Sequence, residues 1–168
     1  KLGQELNDLV ENWVKEHWPI TVRIEPGRYI VAESGAVLGT ITAVKNNYNT
    51  NFVGCDIGFH TLIRPAMYDS YHEVSIVPAA DYRPYQEYDQ AVYLVGPICE
   101  SGDILAHDRP LPVCREGDAV ILHDAGAYGF AMASGYNSRP LPAEVLIQKD
   151  GTVRLIRKGQ TLKDLWPG

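Results

Sequence analysis

The residues best suited to chemistry lie in short stretches rich in Gly and Pro. Glu25-Pro26-Gly27-Arg28 combines a glycine that lets backbone approach a ligand closely, a forked cation suited to phosphate or carboxylate, and a carboxylate able to pair with a protonated ring nitrogen. The same four residues, taken alone, also read as an ordinary turn with a surface ion pair. Arg64, in Leu62-Ile-Arg-Pro-Ala-Met-Tyr68, can clamp a carboxylate together with the Tyr68 hydroxyl, or form a structural ion pair. In Gly96-Pro-Ile-Cys-Glu-Ser-Gly-Asp103, Cys99 beside Glu100 is a candidate proton donor. An ordinary thiol, with a pKa of about 8.5, is mostly protonated at neutral pH yet readily gives up its proton. The alternative for Cys99 is a small buried hydrophobe. Tyr128, between Ala127 and Gly129, is either a phenol held at a backbone-lined site or a core tyrosine with its hydroxyl satisfied. Ser134-Gly-Tyr-Asn-Ser-Arg-Pro140 has the same loop-like character. Loops of this kind present side chains from a rigid scaffold.

Other chemistries find little support. His60, His72, His107 and His123 lack close metal-ligand spacing, and no HExxH or Cys/His cluster occurs, so no metal is expected. Neither a GxGxxG fingerprint nor a phosphate loop ending in Lys-Ser/Thr nor a GxSxG elbow is present. A net charge of -6 without any Lys/Arg run argues against nucleic acid as a partner, while small charged ligands stay open. No apolar run reaches the roughly 18 residues needed to span a bilayer, and the first residues lack the pattern of a signal peptide. Three cysteines, an odd number with no CxxC pair, fit free thiols in a reducing compartment, and a cytoplasmic location is the expectation.

The elements that must position these residues are legible in outline. At 168 residues and 45% hydrophobic content the chain fits one domain with an appended piece. Leu2, Leu6, Leu9 and Trp13 recur at spacings of three and four, an amphipathic helical pattern that Pro19 ends. The chain opens on Lys1 in the middle of that pattern, so a fragment of a longer protein is expected. Thr21 to Ile24 reads as a short strand ending at the EPGR stretch. Tyr29 to Ser34 fits helix or strand equally well by periodicity. From Val37 the character changes to short β-rich runs, with strands expected near 37–45, 52–57, 73–78, 91–96, 118–123 and 144–157. Asp150-Gly151 in the last run suits a type I′ hairpin turn, Ala79 to Tyr88 reads as a long loop, and Thr161 to Trp166 as a short final helix. The expected fold class is mainly β, an antiparallel β-sandwich or Greek-key barrel, with an N-terminal helix-strand attachment.

The stretches EPGR, LIRPAMY, GPICESGD and GAYG, in that order and spacing, resemble diaminopimelate decarboxylase, a pyridoxal-phosphate family of the alanine racemase and ornithine decarboxylase structural group. The resemblance runs from Ile20 to Gly168 and concerns the family's C-terminal part. It implies that residues 1–36 are the last pieces of a cofactor-binding β/α barrel and residues 37–168 a C-terminal β domain. The cofactor lysine of such enzymes lies upstream of the matched part. The resemblance further implies Glu25 at the pyridine nitrogen, with Gly27, Arg28 and Tyr128 at the cofactor phosphate or the substrate. Arg28, Arg64 and Tyr68 would hold the substrate's distal carboxylate and Glu100 its distal amine. Cys99 would come from the neighbouring subunit of a homodimer and protonate the carbon that loses carbon dioxide. The substrate is expected to be meso-diaminopimelate and the product lysine. A decarboxylase of another basic amino acid or carboxylated polyamine, or a non-catalytic β-sandwich regulatory module, are the alternatives. His60-Thr61 replaces the family's usual Asn-Asp before the Leu-Ile-Arg-Pro motif, and Glu33-Ser34 replaces a more usual small or Asn residue, which bears on substrate detail.

Overall fold

The structure is a computed structural model that describes residues 2–79, 86 and 91–166. Helix α1 (Leu2–Glu16) and the short helix α2 (Gly27–Val31) precede the strands β1 (Val37–Asn47) and β2 (Thr50–Cys55). Helix α3 (Arg64–Tyr68) leads to β3 (Val74–Val77), β4 (Val92–Val95), β5 (Ile104–Arg109) and β6 (Ala119–Leu122). Helix α4 (Gly129–Met132), the hairpin β7 (Glu144–Ile147) and β8 (Val153–Arg157), and helix α5 (Leu162–Leu165) complete the described chain.

The mainly-β expectation holds, and the sandwich or Greek-key detail matches roughly: one larger sheet is mixed and a smaller one stands beside it in the chain. Six strands form one sheet in the order β3-β6-β1-β2-β4-β5, and β7-β8 form a separate pair. All pairings are antiparallel except β2 with β4, which run parallel. Parallel neighbours need a crossover connection. Residues 56–91 make that crossover and carry α3, with Arg64 and Tyr68, as well as β3 on the far edge of the sheet.

One face of the sheet builds the core. Alternation in β4 and β6 buries Val92, Leu94, Val120 and Leu122, which meet Ile41, Val53, Leu62 and Leu105. Cys55 and Cys114 are buried in the same cluster, and burial pushes the Cys55 thiol up to about 12. Cys55 Sγ donates to the Ile57 carbonyl at 3.4 Å.

Local expectations met mixed outcomes. The segment after the EPGR stretch is helical, with Pro26 as the residue before α2, where its missing N–H costs nothing. Thr21 to Ile24 is not a strand: a strand exists only through a neighbour's hydrogen bonds, and no described segment pairs with it. Strand β5 was not expected, because His107-Asp108-Arg109 interrupts the apolar run; as an edge strand it tolerates those charges. The type I′ turn lies elsewhere. Tyr48 and Asn49, between the paired Asn47 and Thr50, both have positive φ and close the β1–β2 hairpin. In β7–β8 only Gly151 is left-handed, and the Gly151 N–H to Gln148 C=O bond of 2.9 Å makes a three-residue loop with a bulge. Helix α5 carries a Thr161–Asp164 capping box. The loop expected over Ala79 to Tyr88 lies mostly outside the described residues. Among the described residues no helix is long and apolar enough to cross a membrane.

A tight backbone contact fixes α2 against the sheet. Ala125 N–H donates to Gly35 C=O at 2.8 Å and Gly126 N–H to Ala32 C=O at 2.9 Å. A β-carbon on Gly126 would run into the Val31 carbonyl oxygen and lie 2.7 Å from the Ser34 hydroxyl oxygen. Gly126→Ala is therefore expected to cost about 2 kcal/mol, as overpacking does. Urea unfolding of this variant and of Gly102→Ala, where a β-carbon meets open space, checks it.

Candidate active site

The sequence-predicted residues fall into two groups. The first gathers around Tyr128, the residue that leads into α4. Its backbone is left-handed, φ 62° and ψ 4°, an arrangement costing a non-glycine residue about 1–3 kcal/mol and typical of places where a side chain must be aimed. The hydroxyl lies 3.8 Å from where a β-carbon on Gly27 would sit, which brings GAYG against EPGR. From the other side comes Arg64. Its guanidinium carbon is 5.3 Å from the Tyr128 ring centre and 5.3 Å from that of Tyr68, one helical turn along α3. Each such contact contributes about 0.5–1 kcal/mol when exposed. Arg64 Nη2 also donates to the Ser70 hydroxyl at 3.2 Å, which sets the fork's direction. Glu25 and Arg28, close to Gly27 in the chain, are both exposed. Two phenols, a guanidinium and an open glycine thus meet here, a set of donors suited to an anion.

The second group is the loop between β4 and β5. Cys99 and Glu100 are both exposed, so the reading of Cys99 as a small buried hydrophobe does not hold. What presents them is Asp103. Its carboxylate, in a residue only 3% exposed, accepts Ile98 N–H at 2.7 Å within the loop and Phe59 N–H at 2.6 Å from the neighbouring loop. Gly96 makes room for it, since a β-carbon there would overlap that carboxylate. The turn is completed by Asp103 N–H to Glu100 C=O at 3.0 Å. Glu100 accepts the Tyr136 hydroxyl, which raises the Tyr136 pKa above its ordinary value, and Asn137 Nδ2 lies 3.7 Å from Cys99 Sγ. Phe59 packs on the Tyr136 ring at 5.2 Å. Among the described residues no hydrogen bond, ion pair or ring contact joins Cys99 or Glu100 to Gly27, Arg64 or Tyr128.

Sequence reasoning missed Asp103, Tyr136 and Asn137 as individual residues, although it singled out both of their loops. A carboxylate after Gly102 looks like a surface turn until its burial and two N–H partners are known. His60 is a further surprise. It is 4% exposed, its Nδ1 has no hydrogen-bond partner, and its carbonyl accepts Ser134 N–H at 2.8 Å, tying the crossover to the Tyr136 loop. Burial, and then the nearby Arg139, hold its pKa below the usual histidine value.

A lowered folded-state pKa means the unfolded chain binds the proton first. The stability tied to neutral His60 is thus complete above about pH 6.5 and declines as pH falls below that value. His107 works in the opposite sense, its pKa being raised by Asp69 and then Asp108. His60→Asn is expected to lessen the loss of urea midpoint between about pH 7.5 and about pH 5.5. An unchanged loss would contradict the assignment.

Residues 28–126 match the family model described as the pyridoxal-dependent decarboxylase, C-terminal sheet domain, and the chain belongs to that family. It is 46% identical over 145 residues to a diaminopimelate decarboxylase of Methanothermobacter thermautotrophicus, covering 86% of this chain and 32% of the relative. Among solved structures it is similar to a diaminopimelate decarboxylase at 41% identity and TM-score 0.78, covering 96% of this chain and 40% of the other. It is also similar to the Helicobacter pylori diaminopimelate decarboxylase complexed with L-lysine, at 36% identity and TM-score 0.75, covering 90% and 36%. The chain thus spans between about a third and two fifths of the length of the relatives it matches.

Proposed function

We propose that the chain is the C-terminal part of a pyridoxal-phosphate-dependent diaminopimelate decarboxylase that converts meso-diaminopimelate to lysine and carbon dioxide. The observation that carries this reading is the convergence of EPGR, LIRPAMY and GAYG on Tyr128, in a chain similar to enzymes of that name. The donor set around Tyr128 fits the cofactor chemically. Gly27, Arg28 and Tyr128 would hold its phosphate, and Glu25 its ring nitrogen. When bound, pyridoxal phosphate withdraws electrons from the carbon that loses carbon dioxide.

The remaining work falls to side chains of this chain. Arg28, Arg64 and Tyr68 hold the distal carboxylate of the substrate and Glu100 its distal amine. As the carbon–carboxylate bond breaks, the electron pair stays on carbon and carbon dioxide departs. Cys99 gives its S–H proton to that carbon, and the thiolate recovers a proton from solvent. The site is read as shared across a homodimer, with Cys99 serving the partner's cofactor. Residues 1–36 are read as the end of a β/α barrel, and residues 37–168 as the β domain. Exposed Leu9, Trp13, Trp18 and Ile30 fit that reading, because a barrel would cover them. The chain's place of work is the cytoplasm.

The absorption spectrum of the full-length protein purified with pyridoxal phosphate tests this reading. A band of bound cofactor that survives dialysis is expected. Its absence would favour a non-catalytic β module.

A further inference from the structure

Two adjacent side chains of one loop meet two adjacent side chains of another. Tyr136 donates its hydroxyl to Glu100, and Asn137 turns its amide toward the Cys99 sulfur, Nδ2 to Sγ 3.7 Å. The loop that carries them is held in an uncommon form. Asn137 and Ser138 are both left-handed, each with φ 56°. Ser134 N–H is tied to the His60 carbonyl at 2.8 Å and Ser138 N–H to the Gly135 carbonyl at 3.0 Å. Left-handed backbone outside glycine costs energy and gathers where a side chain must be aimed, and Asn accepts it better than most residues. What the strain aims here is an N–H donor at a thiol. Such a donor bonds more strongly to the thiolate than to the neutral thiol, so it favours the charged form. Glu100 and Tyr136 are the titratable neighbours, and their mutual hydrogen bond directs the carboxylate's charge to Tyr136.

We propose that Asn137 is a positioning residue for Cys99: its side-chain amide fixes the direction of the sulfur and stabilises the thiolate that remains after proton transfer. The inference rests on reading Cys99 as the proton donor, yet it has its own measurement. Iodoacetamide reports on Cys99 in this chain, because Cys55 and Cys114 are buried. Asn137→Gly keeps a residue at ease in left-handed backbone and removes only the amide. Alkylation of this variant near neutral pH is expected to be about fivefold slower than in the unmodified chain, the worth of one hydrogen bond. At about pH 10, where an ordinary thiol is ionised, the two rates converge. Asn137→Asp, which sets a second carboxylate beside the sulfur, is expected to be slower still near neutral pH. Equal rates at every pH would overturn the proposal. So would a ratio that stays constant with pH, which reports altered access in place of a stabilised thiolate. Activity of full-length Cys99→Ala tests the proton-donor reading separately, so the two can fail independently.

Discussion

Changing Cys99 to Ala in the full-length protein is expected to slow lysine formation from meso-diaminopimelate by about a hundredfold or more, the usual cost of losing a positioned general acid. The structure supplies two reasons to single out this thiol. It is exposed while Cys55 and Cys114 are sealed in the core, where burial keeps Cys55 from ionising, its pKa pushed up to about 12. It also stands beside Glu100 on a loop whose shape is fixed from below by a buried carboxylate. With the substrate held by other side chains, as proposed above, the loss is expected in kcat with little change in KM. Cys99→Ser, which keeps a hydroxyl that gives up its proton less readily, should fall between the two. Steady-state assays of the three proteins decide the matter. A wild-type rate in Cys99→Ala would remove Cys99 from the chemistry.

The second large effect is one of stability. Asp103→Ala is expected to lower the unfolding free energy by about 3–5 kcal/mol, since hydrogen bonds to a charged group contribute about 1.5–3 kcal/mol each and their loss strands buried donors. Ile98 N–H and Phe59 N–H would both lose their acceptor in a part of the molecule where Ile98 and Gly58 are buried. That is a large share of the roughly 5–15 kcal/mol that holds a domain together. Asp103→Asn keeps one acceptor oxygen but offers an N–H to the other donor, and about half the loss is expected. Urea titrations of the three chains measure both numbers. A change within about 0.5 kcal/mol for the Ala variant, the level of an ordinary surface substitution, would show that Asp103 does not hold the loop.

How far the sequence reveals this depends on whether a feature is local. The helix ended by Pro19, most of the strands and the capped last helix follow from periodicity and punctuation inside one short window. The failures concern partners. Thr21 to Ile24 has the composition of a strand and no described neighbour to pair with. Strand β5 looks too polar to be one until its position at the sheet edge is known. Tyr48-Asn49 lacks the glycine that usually marks a type I′ turn, whereas Asp150-Gly151 has it and uses it for a bulge.

The same division applies to the site. Glu25, Gly27, Arg28, Arg64, Tyr68 and Tyr128 stand out in the sequence because each lies next to Gly or Pro or one helical turn from such a residue, and Cys99 and Glu100 because a thiol and a carboxylate sit side by side in a stretch bounded by Gly96-Pro97 and Gly102. Asp103 also follows a glycine but reads as a surface turn, and Asn137 and His60 carry no such mark, since the roles of all three come from burial and from what lies across the fold. No spacing rule connects Asn137 to a thiol so far back in the chain. Only the two loops' meeting brings them together.

The central claim is that this chain belongs to a decarboxylase acting on meso-diaminopimelate. Its most direct test is product analysis of the full-length protein, supplied with pyridoxal phosphate and offered meso-diaminopimelate and ornithine in competition. Lysine and an equal amount of carbon dioxide from meso-diaminopimelate, with ornithine left unchanged, is the predicted result. Putrescine from ornithine with meso-diaminopimelate untouched, or no product at all, would contradict it.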